Sequence, residues 1–116
     1  MERDIKAFMA EHARSMEAAK KELPDMARGF GGMFMGIMKA GALTVKEKEL
    51  IAVAIGVSLR CEPCIILHVK KALESGASRA EVMEAASVAV MMQGGPGYVH
   101  LPLVLEALEE FGAGSA

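Results

Sequence analysis

Thr44-Val45-Lys46-Glu47-Lys48-Glu49-Leu50-Ile51-Ala52-Val53-Ala54-Ile55-Gly56-Val57-Ser58-Leu59-Arg60-Cys61-Glu62-Pro63-Cys64-Ile65-Ile66-Leu67-His68 carries both a secondary-structure signal and a chemical one. Taken alone, Leu50 to Val57 is rich in β-branched residues and fits a buried strand. Thr44-Val45-Lys46-Glu47 argues against that, because it is a capping box: the Thr hydroxyl and the Glu carboxylate each satisfy a free backbone amide at a helix start. The charged Lys46 to Glu49 lead-in runs into the apolar stretch without a break. The segment therefore reads as a helix to about Ser58, apolar on all sides and set in the middle of the fold. After Arg60, Cys61-Glu62-Pro63-Cys64 opens another helix, since proline is best tolerated in a first turn, where its missing amide is not needed.

Working outward, the same punctuation gives four more helices and no strand. A helix from about Glu2 to Lys21 carries Ile5, Phe8, Met9, Met16 and Ala19 at helical spacing and stops before Pro24. A glycine-interrupted segment from about Asp25 to Lys39 aligns Phe30, Met33, Phe34, Ile37 and Met38 in one apolar stripe. Gly76 ends the cysteine helix, and Ser78-Arg79-Ala80-Glu81 is a second capping box, whose helix Gly94-Gly95-Pro96 terminates. The last helix spans about Gly97 to Phe111, with Pro102 an alternative starting point, ahead of a small-residue tail from Gly112 to Ala116. The fold class is all-α, about six helices in a single domain covering 1–116.

The 116 residues suffice for one core. With 53% hydrophobic and 24% charged residues the chain is not intrinsically disordered. A net charge of −2, from 13 basic and 15 acidic side chains, offers no basic footprint for nucleic acid or anionic lipid. The longest charge-free apolar run in mid-chain, Leu50 to Leu59, is far below the roughly 20 residues of a membrane span. The first residues, Met1 to Lys6, lack the apolar centre of a secretory signal. The expectation is a cytoplasmic protein with neither nucleic acid nor membrane as partner. A mean hydropathy of +0.30 in so short a chain leaves more apolar helix surface than one small core hides, which predicts self-association. The ten methionines, following helical faces, read as adaptable core or interface packing.

Two cysteines in a reducing compartment suggest redox or metal chemistry before a structural staple. Cys61 and Cys64, one turn apart at a helix mouth, can reach disulfide distance, and the free amides and macrodipole there favour a thiolate. His68 lies four residues beyond Cys64, on the same helix face, where it can take or return the thiol proton. A carboxylate on the preceding helix could orient His68, and on the residues alone Glu47 and Glu49 are equal candidates. His100 and Tyr98 follow a Gly-Gly-Pro turn and are candidates for a pocket wall, although a locally satisfied or interfacial role is the more ordinary one. His12 reads as solvated.

The full spacing, Glu49, eleven residues, Cys61-x-x-Cys64, three residues, His68, resembles that of the alkylhydroperoxidase D-like family, within the carboxymuconolactone decarboxylase-like superfamily. The likeness extends from about Leu43 to Leu105, through Gly76-Ala77-Ser78, Gly94-Gly95 and His100. It implies a small helical enzyme, a thiol-dependent peroxidase or disulfide oxidoreductase in antioxidant defence. Cys64 would be the attacking thiol, Cys61 the resolving one, and Glu49 with His68 the proton relay. It further implies an assembly into homotrimers or homohexamers, a small hydroperoxide as substrate, an external dithiol or a peroxiredoxin as redox partner, and no cofactor. Pro63 departs from relatives that place an ionisable residue just before the second cysteine. Two alternatives stand beside this reading: a lactone decarboxylase, which would not depend on the cysteines, and a helical interaction module whose C-x-x-C clips zinc, with His68 and His100 as further ligands.

Overall fold

A computed structural model describes residues 4–112. The carboxylate of Asp4 accepts from the Ala7 amide at 2.9 Å and starts α1, Ile5–Glu22. The expected start near Glu2 lies outside the described residues, as does the tail beyond Gly112. Pro24 opens α2, Pro24–Met38, without the amide that a first helical turn leaves unused. The Thr44–Glu47 box starts α3, Val45–Leu59, with both reciprocal bonds formed, at 3.0 and 2.8 Å. Arg60, in a left-handed conformation with φ 55° and ψ 41°, turns the chain into α4, Glu62–Glu74. Gly76, at φ 95°, and the Ser78–Glu81 box lead into α5, Arg79–Gln93. No strand occurs among the described residues, so the fold is all-helical as expected.

The expected last helix is two. A four-residue turn, α6, Gly95–Tyr98, precedes α7, Leu101–Glu110. Pro102 has no amide to donate to the Tyr98 carbonyl, and its ring crowds that position, so one continuous helix cannot cross Val99 and His100.

Helix α3 lies between α4 and α5, and α7 closes the other side of α4. The core is aliphatic: Val53 and Val57 of α3, Ile65, Ile66 and Val69 of α4, Val82 of α5, and Val104 and Leu108 of α7 are fully buried. One expectation about an apolar face needs correcting. Helix α3 is central but not covered on all sides, because Ile51, Ile55 and Leu59, one turn apart, form an exposed stripe. The stripe on α2 lies outside the core: the helix has no buried residue, and Phe30, Met33, Met35 and Ile37 are all exposed. Only Ile5 of α1 is buried. Helices α1 and α2 pair with each other around an open apolar groove of about 490 Å³, lined by residues that include Met16, Leu23, Met26, Phe30 and Phe34. His12 is half-buried, its ring stacked on Phe8 at 5.8 Å. The Lys48 ammonium ties down the far end of α2, donating to the Ile37 and Lys39 carbonyls at 2.7 Å each.

Gly56 sets how closely α3 approaches the mouth of α4. A Cβ there would stand 3.3 Å from Cys64 Cβ and 3.3 Å from the Ile65 backbone nitrogen. Gly56→Val should therefore lower stability by about 1–3 kcal/mol through overpacking, read as a lower midpoint in urea with an unchanged slope.

A hydrogen bond from the Ser78 backbone amide, and then the Lys46 ammonium 3.0 Å away, hold the Glu81 carboxyl below the usual carboxylate range. Ionised Glu81 therefore stabilises the fold above its unfolded-state pKa, and this contribution disappears as pH falls through the lower folded-state value. Glu81→Gln should lower the denaturation midpoint near pH 7, and the gap from the parent should close in strong acid, where the parent's carboxyl is protonated too.

Candidate active site

Cys61 is the N-cap of α4, its sulfur accepting from the Cys64 amide at 3.3 Å, with Pro63 in the first turn between them. This satisfies one of the amides that a helix start leaves free and holds both sulfurs at the positive end of the helix dipole. The two cysteines are disulfide-bonded, their Cα atoms 5.2 Å apart, and both are partly exposed. The Cys61 amide donates to the Gly56 carbonyl at 3.0 Å, joining the motif to the end of α3.

One turn along α4, His68 Nδ1 lies 2.7 Å from Glu49 Oε1 of α3. Both side chains are largely out of water, 17% and 5% exposed. Glu49 is the charged residue that the fold buries among those described. Glu47, its equal in sequence, is spent on the capping box and stays exposed. A carboxylate can only accept, so Nδ1 carries the hydrogen and Nε2 is the nitrogen left to bind a proton. The site thus combines a disulfide-bonded cysteine pair with a buried carboxylate–imidazole pair one helical turn away, groups whose chemistry suits a two-electron step coupled to proton transfer.

Phe34 and Lys71 complete the surroundings. The Phe34 ring of α2 stacks on the His68 imidazole, centroids 6.0 Å apart and planes 22° apart, and the Lys71 ammonium lies 5.3 Å from the Phe34 centroid. In the sequence Phe34 was one member of an apolar stripe and Lys71 carried no signal, because helical spacing says which residues share a face but not which helix that face meets. His100 and Tyr98 are placed elsewhere. His100 Nδ1 bonds to the Pro96 carbonyl at 2.7 Å, within its own turn. Exposed Tyr98 borders a depression of about 470 Å³ with Met83, Val99, Leu101, Pro102 and Leu105, a lining that includes neither cysteine nor the Glu49–His68 pair. Among the described residues no group of three or more His, Cys, Asp or Glu side chains is arranged to hold a metal ion. No helix described is long and apolar enough to cross a membrane.

The model of the carboxymuconolactone decarboxylase family matches residues 24–110, three-quarters of the chain, and takes in every residue of this site. The chain belongs to that family. A family member from Legionella pneumophila, solved without ligand, superposes with a TM-score of 0.88 at 34% identity, covering 92% of this chain and 96% of that one. One from Thermotoga maritima, for which involvement in an antioxidative response has been suggested, gives 0.78 at 29% identity over 87% of this chain and 86% of that one. Among curated relatives, an uncharacterized protein of Cupriavidus necator is 30% identical over 97% of this chain and its own entire length. Another, encoded in the cox locus of Paracoccus denitrificans, is 36% identical over 83% of this chain and 93% of its own. Helix α1 lies outside the family match, so the family segment begins with α2, the helix that carries Phe34.

Because Glu49 and His68 satisfy each other inside the fold, His68→Ala and Glu49→Gln should each cost about 1–3 kcal/mol. The double variant should cost less than the two together, giving an interaction of about 0.5–3 kcal/mol in a double-mutant cycle by urea denaturation.

Proposed function

We propose that this family member is a thiol-dependent peroxidase that reduces small organic hydroperoxides through Cys64 and Cys61. The observation that carries the reading is the buried Glu49–His68 hydrogen bond one turn from a bonded Cys61–Cys64 pair at a helix mouth. His68, held by Glu49, takes the Cys64 proton, and the thiolate attacks the terminal peroxide oxygen. The O–O bond breaks, Cys64 becomes a sulfenic acid, and the alkoxide leaves as an alcohol on taking the proton from His68. The Cys61 thiol then condenses with the sulfenic acid, releasing water and forming the disulfide. An external dithiol, free or on a peroxiredoxin partner, returns both sulfurs to thiols and is itself oxidised to a disulfide. Pro63 supplies no ionisable group to this relay, so the proton passes directly or through a water between His68 and Cys64.

The Thermotoga relative's suggested antioxidative link agrees with this reading. The exposed apolar surface of α1 and α2 and the stripe on α3 support self-association; the homotrimer or homohexamer and the cytoplasmic location are part of the proposal. A lactone decarboxylase is the competing reading that the family's own name carries.

The test is a free-thiol titration of reduced, metal-free protein before and after one equivalent of an organic hydroperoxide, beside Cys64→Ser and His68→Ala. The expected outcome is rapid loss of two thiols per chain as an intramolecular disulfide, abolished by Cys64→Ser and slowed about a hundredfold or more by His68→Ala. Thiols that stay reduced, or that react no faster than free cysteine, rule the peroxidase out. Lactone turnover that survives Cys64→Ser would put the decarboxylase in its place.

A further inference from the structure

We infer that Phe34 is a positioning residue for His68: its ring fixes the plane of the imidazole whose edge Glu49 holds. The inference rests on the reading of His68 as the proton carrier, and adds to it a residue from a different helix.

A single hydrogen bond at Nδ1 sets one edge of an imidazole but leaves the ring able to swing about that contact. A base that must present Nε2 to a sulfur on its own helix needs a second constraint. Within the chain, Phe34 provides it, stacking on His68 at 6.0 Å with planes 22° apart.

The placement of Phe34 is not a by-product of core packing. Helix α2 buries no residue, and Phe34 is one of the few side chains on it that is even half-covered. It lies against the face of α4 that carries His68 and, one turn on, Lys71, whose ammonium stands 5.3 Å from the ring centroid. A cation within about 6 Å of an aromatic ring is attracted to it, so Lys71 helps keep the ring where His68 needs it. Just beyond, the Ile37 and Lys39 carbonyls are tied to Lys48. Lys48 adjoins Glu49 in sequence, so one short stretch of α3 both holds the edge of the imidazole and anchors the helix that covers its face.

The test uses the full chain with Phe34→Tyr, Phe34→Leu and Phe34→Ala, each checked for native helicity by circular dichroism. Two quantities are read: the orientation of the His68 ring, from nuclear Overhauser contacts of its two carbon-bound ring protons, and the rate of thiol loss with cumene hydroperoxide. Phe34→Tyr keeps the stacking ring, and should retain the parent's single ring orientation and a rate within about threefold of it. Phe34→Leu keeps bulk but not the ring; like Phe34→Ala it should give averaged ring orientations and a rate lower by about tenfold or more. If Phe34→Leu matches Phe34→Tyr in both readings, or if Phe34→Ala keeps a single ring orientation, Phe34 is packing and the inference is overturned. If the parent itself does not react with the peroxide, the peroxidase reading fails, and the ring orientation alone still decides the role of Phe34.

Discussion

A carboxylate taken almost completely out of water must find a partner, and for Glu49 that partner is His68 on the next helix. The pair locks the register of α3 against α4, since a slip of one residue along either helix would turn one of the groups away and leave the other buried alone. Gly56 allows the two helices to come close enough for this, and the left-handed Arg60 reverses the chain within the space available. The disulfide sits where these constraints meet, with the Cys61 amide bonded back to Gly56. The core around α3 and α4 is plainly aliphatic, and it acts as the frame that keeps one polar contact in place.

Much of this was legible in the sequence because it depends on local rules. Thr44–Glu47 and Ser78–Glu81 mark helix starts whatever surrounds them, and both boxes form completely. The C-x-x-C with His68 four residues on lies within one helix, where spacing and geometry are nearly the same thing. The choice between Glu47 and Glu49 was not local, and it came only from the resemblance. In the structure it has a physical reason, since Glu47 is occupied with the cap. The division of the last helix was half-visible in Pro102, although the separate turn at Gly95–Tyr98 was not. Least legible were the partners of apolar faces: a stripe such as Phe30 to Met38 looks the same in sequence whether it meets a core, a neighbour or solvent.

The N-terminal hairpin is where this ambiguity matters most. Its groove and the cover over His68 share one side chain, Phe34, so the least buried part of the chain touches the most buried polar pair. Fold and site are therefore not separable into a rigid scaffold and a decorated surface. The helix that adds least to the core of a single chain is the one closest to the imidazole face.

The sequence separation of the two cysteines has its own consequence. Their bond closes a loop with only two residues between its ends, inside one helical turn. Such a short closure restrains an unfolded chain less than a link between distant elements does. The bond therefore does little to hold one helix to another, a task left to the aliphatic core and the Glu49–His68 contact. Whatever reads the state of these sulfurs has to meet them directly, at the partly exposed mouth of a single helix.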